Sequence, residues 1–204
     1  QINLRRTIRH SIAYGGEPLD LLRKSRTPKK QRLIVLLDVS GSMDKYSFFL
    51  LRFICALKEN FRQMEAFVFS TSLKRITKSL HFNRLDFVLK SISDMADNWS
   101  GGTRIGECLH QFNEQYGKRM LNGSPLVLIL SDGLDTGDTD AMSKELKYIQ
   151  QRSKKIIWLN PLKGMKGYEP IAQGMSAALP LVNEFRTAHN LDSLLELENI
   201  LANA

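Results

Sequence analysis

The sequence predicts an α/β domain, doubly wound, with a mostly parallel sheet flanked by helices and one antiparallel edge strand. Three observations carry this. Leu33-Ile34-Val35-Leu36-Leu37 and Pro125-Leu126-Val127-Leu128-Ile129-Leu130 are unbroken apolar runs of strand length, as strands buried on both faces require. Each run ends in a carboxylate at the entry to a polar loop, Asp38 in the first and Asp132 in the second. Amphipathic stretches of helical length alternate with the strands along the chain.

Taken in order, residues 1–30 form a basic leader. Leu4, Ile8 and Ile12 recur at helical spacing until Tyr14-Gly15-Gly16-Glu17-Pro18 interrupts them, and a polar connector follows to Pro28. The folded domain is expected over residues 31–204. Strand one (33–38) leads to a helix over 43–62, whose apolar positions include Phe48, Leu51, Ile54 and Leu57. Strands over 65–70 and 73–78 are joined by the tight turn Ser70-Thr71-Ser72, which makes the second of them the antiparallel edge. Leu85, Val88, Leu89, Ile92 and Met95 mark a helix over 84–97; Ile105, Leu109, Phe112 and Tyr116 mark the next. After the strand ending at Asp132 come a helix over 141–153, a strand over 155–160 stopped by Pro161, and a short helix over 171–178. A strand near Leu181 to Phe185 and a helix over 191–202 complete a Rossmann-like order.

Composition narrows the function classes. With 204 residues, 43% apolar and 25% charged, the chain suits one soluble domain with a full core. No apolar run approaches the roughly 18 residues of a membrane helix, and no signal peptide precedes the first charges. Cys55 and Cys108 fall in expected helices and are too few for a disulfide framework; as reduced core thiols they imply a cytoplasmic protein. The chain begins at Gln1 and not Met, so an upstream segment of a larger parent protein is expected. The net charge of +8 is unevenly spread: residues 1–32 carry +7 and the remainder +1. The leader therefore sets the basic balance. A solvated arm docking on an acidic partner is favoured over nucleic acid or anionic lipid, because no aromatic residues interleave with its charges.

The loop after strand one, Asp38-Val39-Ser40-Gly41-Ser42-Met43, offers only oxygen atoms. Hard oxygens suit Mg²⁺ or Mn²⁺ rather than zinc or copper. In a parallel sheet the C-terminal strand ends share one edge, where open α/β sheets place their ligands. Asp38, Ser40, Ser42, Thr103 and Asp132 are all expected at that edge, and together they could supply Mg²⁺ directly and through water. Each has an ordinary alternative: Ser42 and Thr103 as helix N-caps, Asp132-Gly133 as a turn.

This arrangement resembles the metal-ion-dependent adhesion site of von Willebrand factor A (VWA) domains. Asp38, Ser40 and Ser42 match that family's D-x-S-x-S signature, Thr103 in Gly101-Gly102-Thr103 its loop threonine, and Asp132 in Ser131-Asp132-Gly133 its later aspartate. The resemblance implies a VWA fold, with the serines and threonine on Mg²⁺, the aspartates acting directly or through water, and one position open for a partner's carboxylate. Outside the metal loops, Leu4-Arg5-Arg6-Thr7-Ile8-Arg9, Gly15-Gly16-Glu17-Pro18, Trp158-Leu159-Asn160-Pro161-Leu162, Tyr168, Met175 and Ala177-Ala178-Leu179-Pro180 look like the CoxE-like branch. His189-Asn190-Leu191 and Leu194-Leu195 extend the match. That likeness implies a cytoplasmic adaptor paired with a MoxR-type AAA+ ATPase. Its client would be a metalloenzyme such as a molybdenum-containing carbon monoxide dehydrogenase, whose metal centre it helps to mature.

Other chemistries fit less well. Asp132, Asp135, Asp138 and Asp140 lack calcium-loop spacing and read as a solvated acidic loop near the metal. No phosphate-binding G-x-x-x-x-G-K-[ST] or G-x-S-x-G elbow occurs, and His10, His81, His110 and His189 show no H-E-x-x-H spacing. Trp158 reads as core. The expected function is a non-enzymatic, Mg²⁺-dependent protein-interaction domain. Its alternatives are a metal-dependent phosphohydrolase using the same carboxylates, or a nucleic-acid-binding module working through residues 1–32.

Overall fold

The computed structural model describes residues 31–57, 61, 63–81 and 102–189. The leader 1–30, the helices expected over 84–97 and 191–202, and Gly101 lie outside the described residues.

Six strands form one sheet in the order β3-β2-β1-β4-β5-β6. They are β1 (Arg32–Asp38), β2 (Gln63–Phe69), β3 (Leu73–Arg75), β4 (Leu126–Leu130), β5 (Lys155–Asn160) and β6 (Glu184–Thr187). All pairs are parallel except β2 with β3, where Phe69 faces Leu73. The expected sheet and its antiparallel edge are therefore present. The helices are α1 (Asp44–Leu57), α2 (Thr77–His81), α3 (Ile105–Phe112), α4 (Thr139–Gln150) and α5 (Gln173–Ala178). None of the described helices is long and apolar enough to cross a membrane.

The strand pleat sorts the apolar runs into two cores. Leu33, Val35 and Leu37 pack with Leu50, Leu51, Ile54 and Leu57 of α1, while Ile34 and Leu36 face Leu109 and Phe112 of α3 and Leu146 and Ile149 of α4. Burial on both faces is what lets β1 and β4 run apolar without alternation. Phe67 meets Phe112 edge-on, with ring centroids 5.3 Å apart, which helps seat α3 over the centre of the sheet.

Several boundaries differ from expectation for local reasons. Strand β3 ends at Arg75 instead of Lys78, because Thr77 turns inward. Its hydroxyl accepts from Ala66 N at 3.0 Å and donates to Glu65 Oε2 at 2.7 Å, replacing a strand partner as α2 begins. The helix after Thr103 includes Tyr116 as expected, but passes it in a π-helical turn, Asn113–Gly117, and continues to Met120. Asp138 starts α4 two residues early by accepting from Asp140 N at 2.8 Å and Ala141 N at 3.4 Å. The last strand lies at Glu184–Thr187, since Leu179–Leu181 is a 3₁₀ turn with Pro180 in it. Trp158 is fully buried, as expected of a core residue.

Candidate metal centre

The C-terminal ends of β1, β2 and β4 meet at one edge, and backbone hydrogen bonds stitch their loops together. Val39 N donates to Phe69 O at 2.9 Å, and Arg104 N to the carbonyl of Ser70, just past β2, at 3.0 Å. Thr136, in the loop after β4, donates through both its N–H and its hydroxyl to Thr103 O, each at 2.9 Å. Asp38, Ser40 and Ser42 follow β1, Asp132 follows β4, and Thr103 precedes α3 between those two loops. The topology thus brings all five candidate residues to one edge.

Asp38 is wholly buried. Its Oδ1 accepts from Ser40 N at 2.9 Å, and its Oδ2 from the Ser131 hydroxyl at 2.6 Å. Burial pushes the carboxyl up to about 7; the hydrogen bonds from Ser131 and Ser40 oppose this, and the Asp132 charge adds to it. A buried carboxylate whose ionised form is further disfavoured by a second one, Asp132, is an environment that a bound cation would relieve.

Ser40 is not spent on capping: it is extended (φ −62°, ψ 165°) and caps nothing with its side chain. Its Oγ lies 3.2 Å from Ser42 Oγ, and Ser42 is exposed at the mouth of the loop. Thr103 is buried but does not cap α3 either. Arg104 occupies that N-cap position, and Ile105 N is taken by Asp135 Oδ1 at 2.9 Å. Asp132 is buried and closes a turn by accepting from Leu134 N at 3.1 Å through Oδ1, so its turn role is real and involves one oxygen.

The acidic loop is solvated at Asp138 and Asp140, which are exposed, and departs from that reading at Asp132 and Asp135. Asp135 is partly buried, and its Oδ1 holds both Ile105 N and Gly137 N. Asp138 caps α4. These two carboxylates shape the loop.

Sequence reasoning passed over the residues that position Asp38 and Asp132. Ser131 grips Asp38 and itself accepts from Gly133 N at 3.0 Å. The Trp158 indole donates to Ser131 O at 2.9 Å. Asn160, at the end of β5, donates through Nδ2 to Asp132 O and to the Tyr168 hydroxyl, both at 2.9 Å, while its Oδ1 accepts from Leu162 N at 2.8 Å. Gly133 (φ +78°) permits a close approach of α5: a β-carbon there would sit 2.4 Å from Met175 Cγ. A fully buried asparagine ending an apolar strand was the available signal, because such an amide must find partners.

Chemically, the edge offers two carboxylates and three hydroxyls. Among the described residues no group of three or more His, Cys, Asp or Glu side chains could hold a metal, so a soft-metal site is not found there. The oxygen set fits a hard divalent cation. The thiol of Cys108 donates to Ser70 O and is pushed up to about 12, chiefly by burial and then by the charges of Asp38, Glu107 and Asp135, so it stays protonated. His110 pairs with Glu145 at 3.0 Å and His189 with Thr187 at 2.7 Å, rather than with the candidate ligands.

Comparison with solved structures places this fold among known ones. The byssal proximal thread matrix protein 1 of mussel, in a form with a zinc-occupied MIDAS motif, is 18% identical with a TM-score of 0.56. The match covers 85% of this chain and 47% of that one, so the present chain spans about half the mussel protein. BatB from Bacteroides thetaiotaomicron is 14% identical (TM-score 0.54; 85% and 100% covered). The manganese-loaded TRAP protein of Plasmodium vivax is 12% identical (TM-score 0.55; 85% and 74% covered). No curated protein sequence matches the chain. The family described as "VWA domain containing CoxE-like protein" matches residues 1–194, and the chain belongs to that family.

Proposed function

We propose that this domain docks a partner protein through a divalent cation, Mg²⁺ or Mn²⁺, held by Asp38, Ser40, Ser42, Thr103 and Asp132. The observation that carries the reading is Asp38: fully buried, gripped by Ser131 and by the Ser40 backbone, and raised to about 7 without a cation. Bound there, the cation supplies a positive site that an aspartate or glutamate of a partner can complete. Ser131 and the Ser40 amide fix the Asp38 carboxylate, Asn160 fixes the backbone of Asp132, and Thr136 ties the Thr103 loop to the loop that carries Asp132. Zinc in the mussel neighbour's MIDAS motif and manganese in the Plasmodium neighbour support a cation at this edge.

A docking role is preferred to hydrolysis because the nearby thiol is buried and protonated, and His110 and His189 are engaged elsewhere. Membership in the CoxE-like family supports a finer version. The partner is a MoxR-type AAA+ ATPase, and the client is a metalloenzyme such as a molybdenum-containing carbon monoxide dehydrogenase. Residues 31–204 form the docking domain, residues 1–30 an accessory arm, and the two free cysteines suit the cytoplasm. The test is co-purification from the native host with Mg²⁺ or with EDTA. A AAA+ ATPase is expected with Mg²⁺ and lost with EDTA or Asp38→Ala; an unchanged partner in EDTA refutes cation-gated docking.

A further inference from the structure

Among the described residues, the large apolar side chains left exposed are Leu134, Met165 and Ile171, at 46%, 52% and 79%. Isolated apolar residues on a surface need no explanation. These three are not scattered. Leu134 lies in the loop after β4, two residues from Asp132, and Met165 and Ile171 lie in the segment after β5, at the same sheet edge as the candidate metal ligands. The described connections at the opposite edge carry none.

The two segments interlock. Gly174 approaches Gly133 so closely that a β-carbon on it would lie 2.5 Å from the Gly133 carbonyl oxygen. Ile171 is three residues from that contact, so its Cα lies within about 11 Å of Gly174. Leu134 directly follows Gly133. Met165 O accepts from Tyr168 N at 3.2 Å, and the Tyr168 hydroxyl is held by the same Asn160 amide that holds Asp132 O. The apolar side chains therefore stand on the very loops that fix Asp132.

We propose that Leu134, Met165 and Ile171 form an apolar rim that selects partner segments in which the docking carboxylate is flanked by aliphatic side chains. This rests on the cation-docking reading above and adds a specificity to it. The partner's carboxylate complements the cation, and its aliphatic neighbours cover the rim. The segment between β5 and α5, 161–172, thus sets partner choice without contributing a cation ligand.

Two synthetic peptides test this on the full chain, Gly-Leu-Glu-Leu-Gly and Gly-Ser-Glu-Ser-Gly, titrated with Mg²⁺ or with EDTA. The leucine peptide should bind about tenfold more tightly in Mg²⁺, as partial burial of one aliphatic side chain allows. Met165→Ser with Ile171→Ser should abolish that preference while Mg²⁺ affinity stays unchanged. Equal affinity for the two peptides, with EDTA abolishing both, overturns the rim and leaves cation docking standing. A leucine preference that survives EDTA upholds the rim and overturns cation docking. Failure of both peptides to bind at millimolar concentration overturns the rim.

Discussion

The loop after β1 and the loop after β4 both convert a buried strand into a helix at one sheet edge, yet they are held in different ways. From Asp38 to Met43 the chain makes two local bonds, Asp38 Oδ1 taking Ser40 N and Met43 N bonding to Ser40 O at 2.9 Å. Among the described residues it is tied outward at its start only, by the Ser131 hydroxyl on Asp38 Oδ2 and by Val39 N on Phe69 O. From Ser131 to Asp138 the chain depends on distant residues. Trp158 and Asn160 hold Ser131 and Asp132, Met175 and Gly174 press on Gly133, and Asp135 reaches Ile105. The first loop sets Ser40 and Ser42 through its own bonds and needs Ser131 to fix the second oxygen of Asp38. The second presents Asp132 only when β5, α3 and α5 are in place. Metal affinity should therefore respond to mutations inside the first loop, and to mutations far in sequence from the second.

The largest effect is expected inside the first loop. Asp38→Ala should reduce Mg²⁺ affinity by at least about a hundredfold, read by calorimetry, and remove any rise in melting temperature on adding Mg²⁺. The domain should still fold, because the change deletes a buried charge rather than apolar contacts. Retained Mg²⁺ affinity would show that the cation does not sit on this loop.

The pH dependence comes next in size. In the metal-free protein Asp38 titrates near 7, against about 3.9 when unfolded. A raised acid stabilises the folded state below the unfolded value, and that contribution is lost as pH rises through 7. The metal-free domain should therefore be more stable at pH 5 than at pH 8 by a margin that Asp38→Asn removes. Binding must displace this proton, so Mg²⁺ affinity should fall about tenfold per unit below pH 7. Calorimetry in two buffers of different ionisation enthalpy would detect proton release near neutrality. No release at pH 7 would mean that Asp38 is already ionised before the cation arrives.

In the second loop, Asn160→Ala strands the buried Asp132 carbonyl and frees Tyr168. It should cost about 1–3 kcal/mol of stability by urea denaturation and about tenfold in Mg²⁺ affinity. Gly133→Ala should cost a similar amount of stability, from the positive φ and the clash with Met175. If either change left affinity untouched while lowering stability, the β4 loop would be structural only.

The same contrast explains what could be read from the chain alone. Asp38, Ser40 and Ser42 fall within five residues, and the apolar runs before Asp38 and Asp132 state strand, burial and direction locally. The parallel sheet and its antiparallel edge follow from those runs and the short turn at Ser70. The supports of Asp132 were not readable, because Trp158, Asn160 and Tyr168 meet Ser131 and Asp132 only through tertiary packing. Thr77 likewise ends β3 through contacts with Glu65 and Ala66, twelve and eleven residues away, which no local pattern shows. Asp135 and Asp138 looked alike as members of an acidic loop, and only the position of Ile105 makes one of them a support for α3.

The smallest predicted effect isolates the outermost support. Tyr168→Phe removes one hydroxyl that accepts from Asn160 Nδ2 and leaves the bond from Asn160 to Asp132 O intact. Tyr168 is only partly buried, so water can take the vacated place. Stability should fall by about 0.5–1.5 kcal/mol, and Mg²⁺ affinity by less than about threefold. The ratio of the Asn160→Ala loss to the Tyr168→Phe loss then measures how steeply support for Asp132 declines outward along β5. Equal losses would place the Tyr168 hydroxyl, and with it the whole segment 161–172, among the parts that hold the β4 loop in shape.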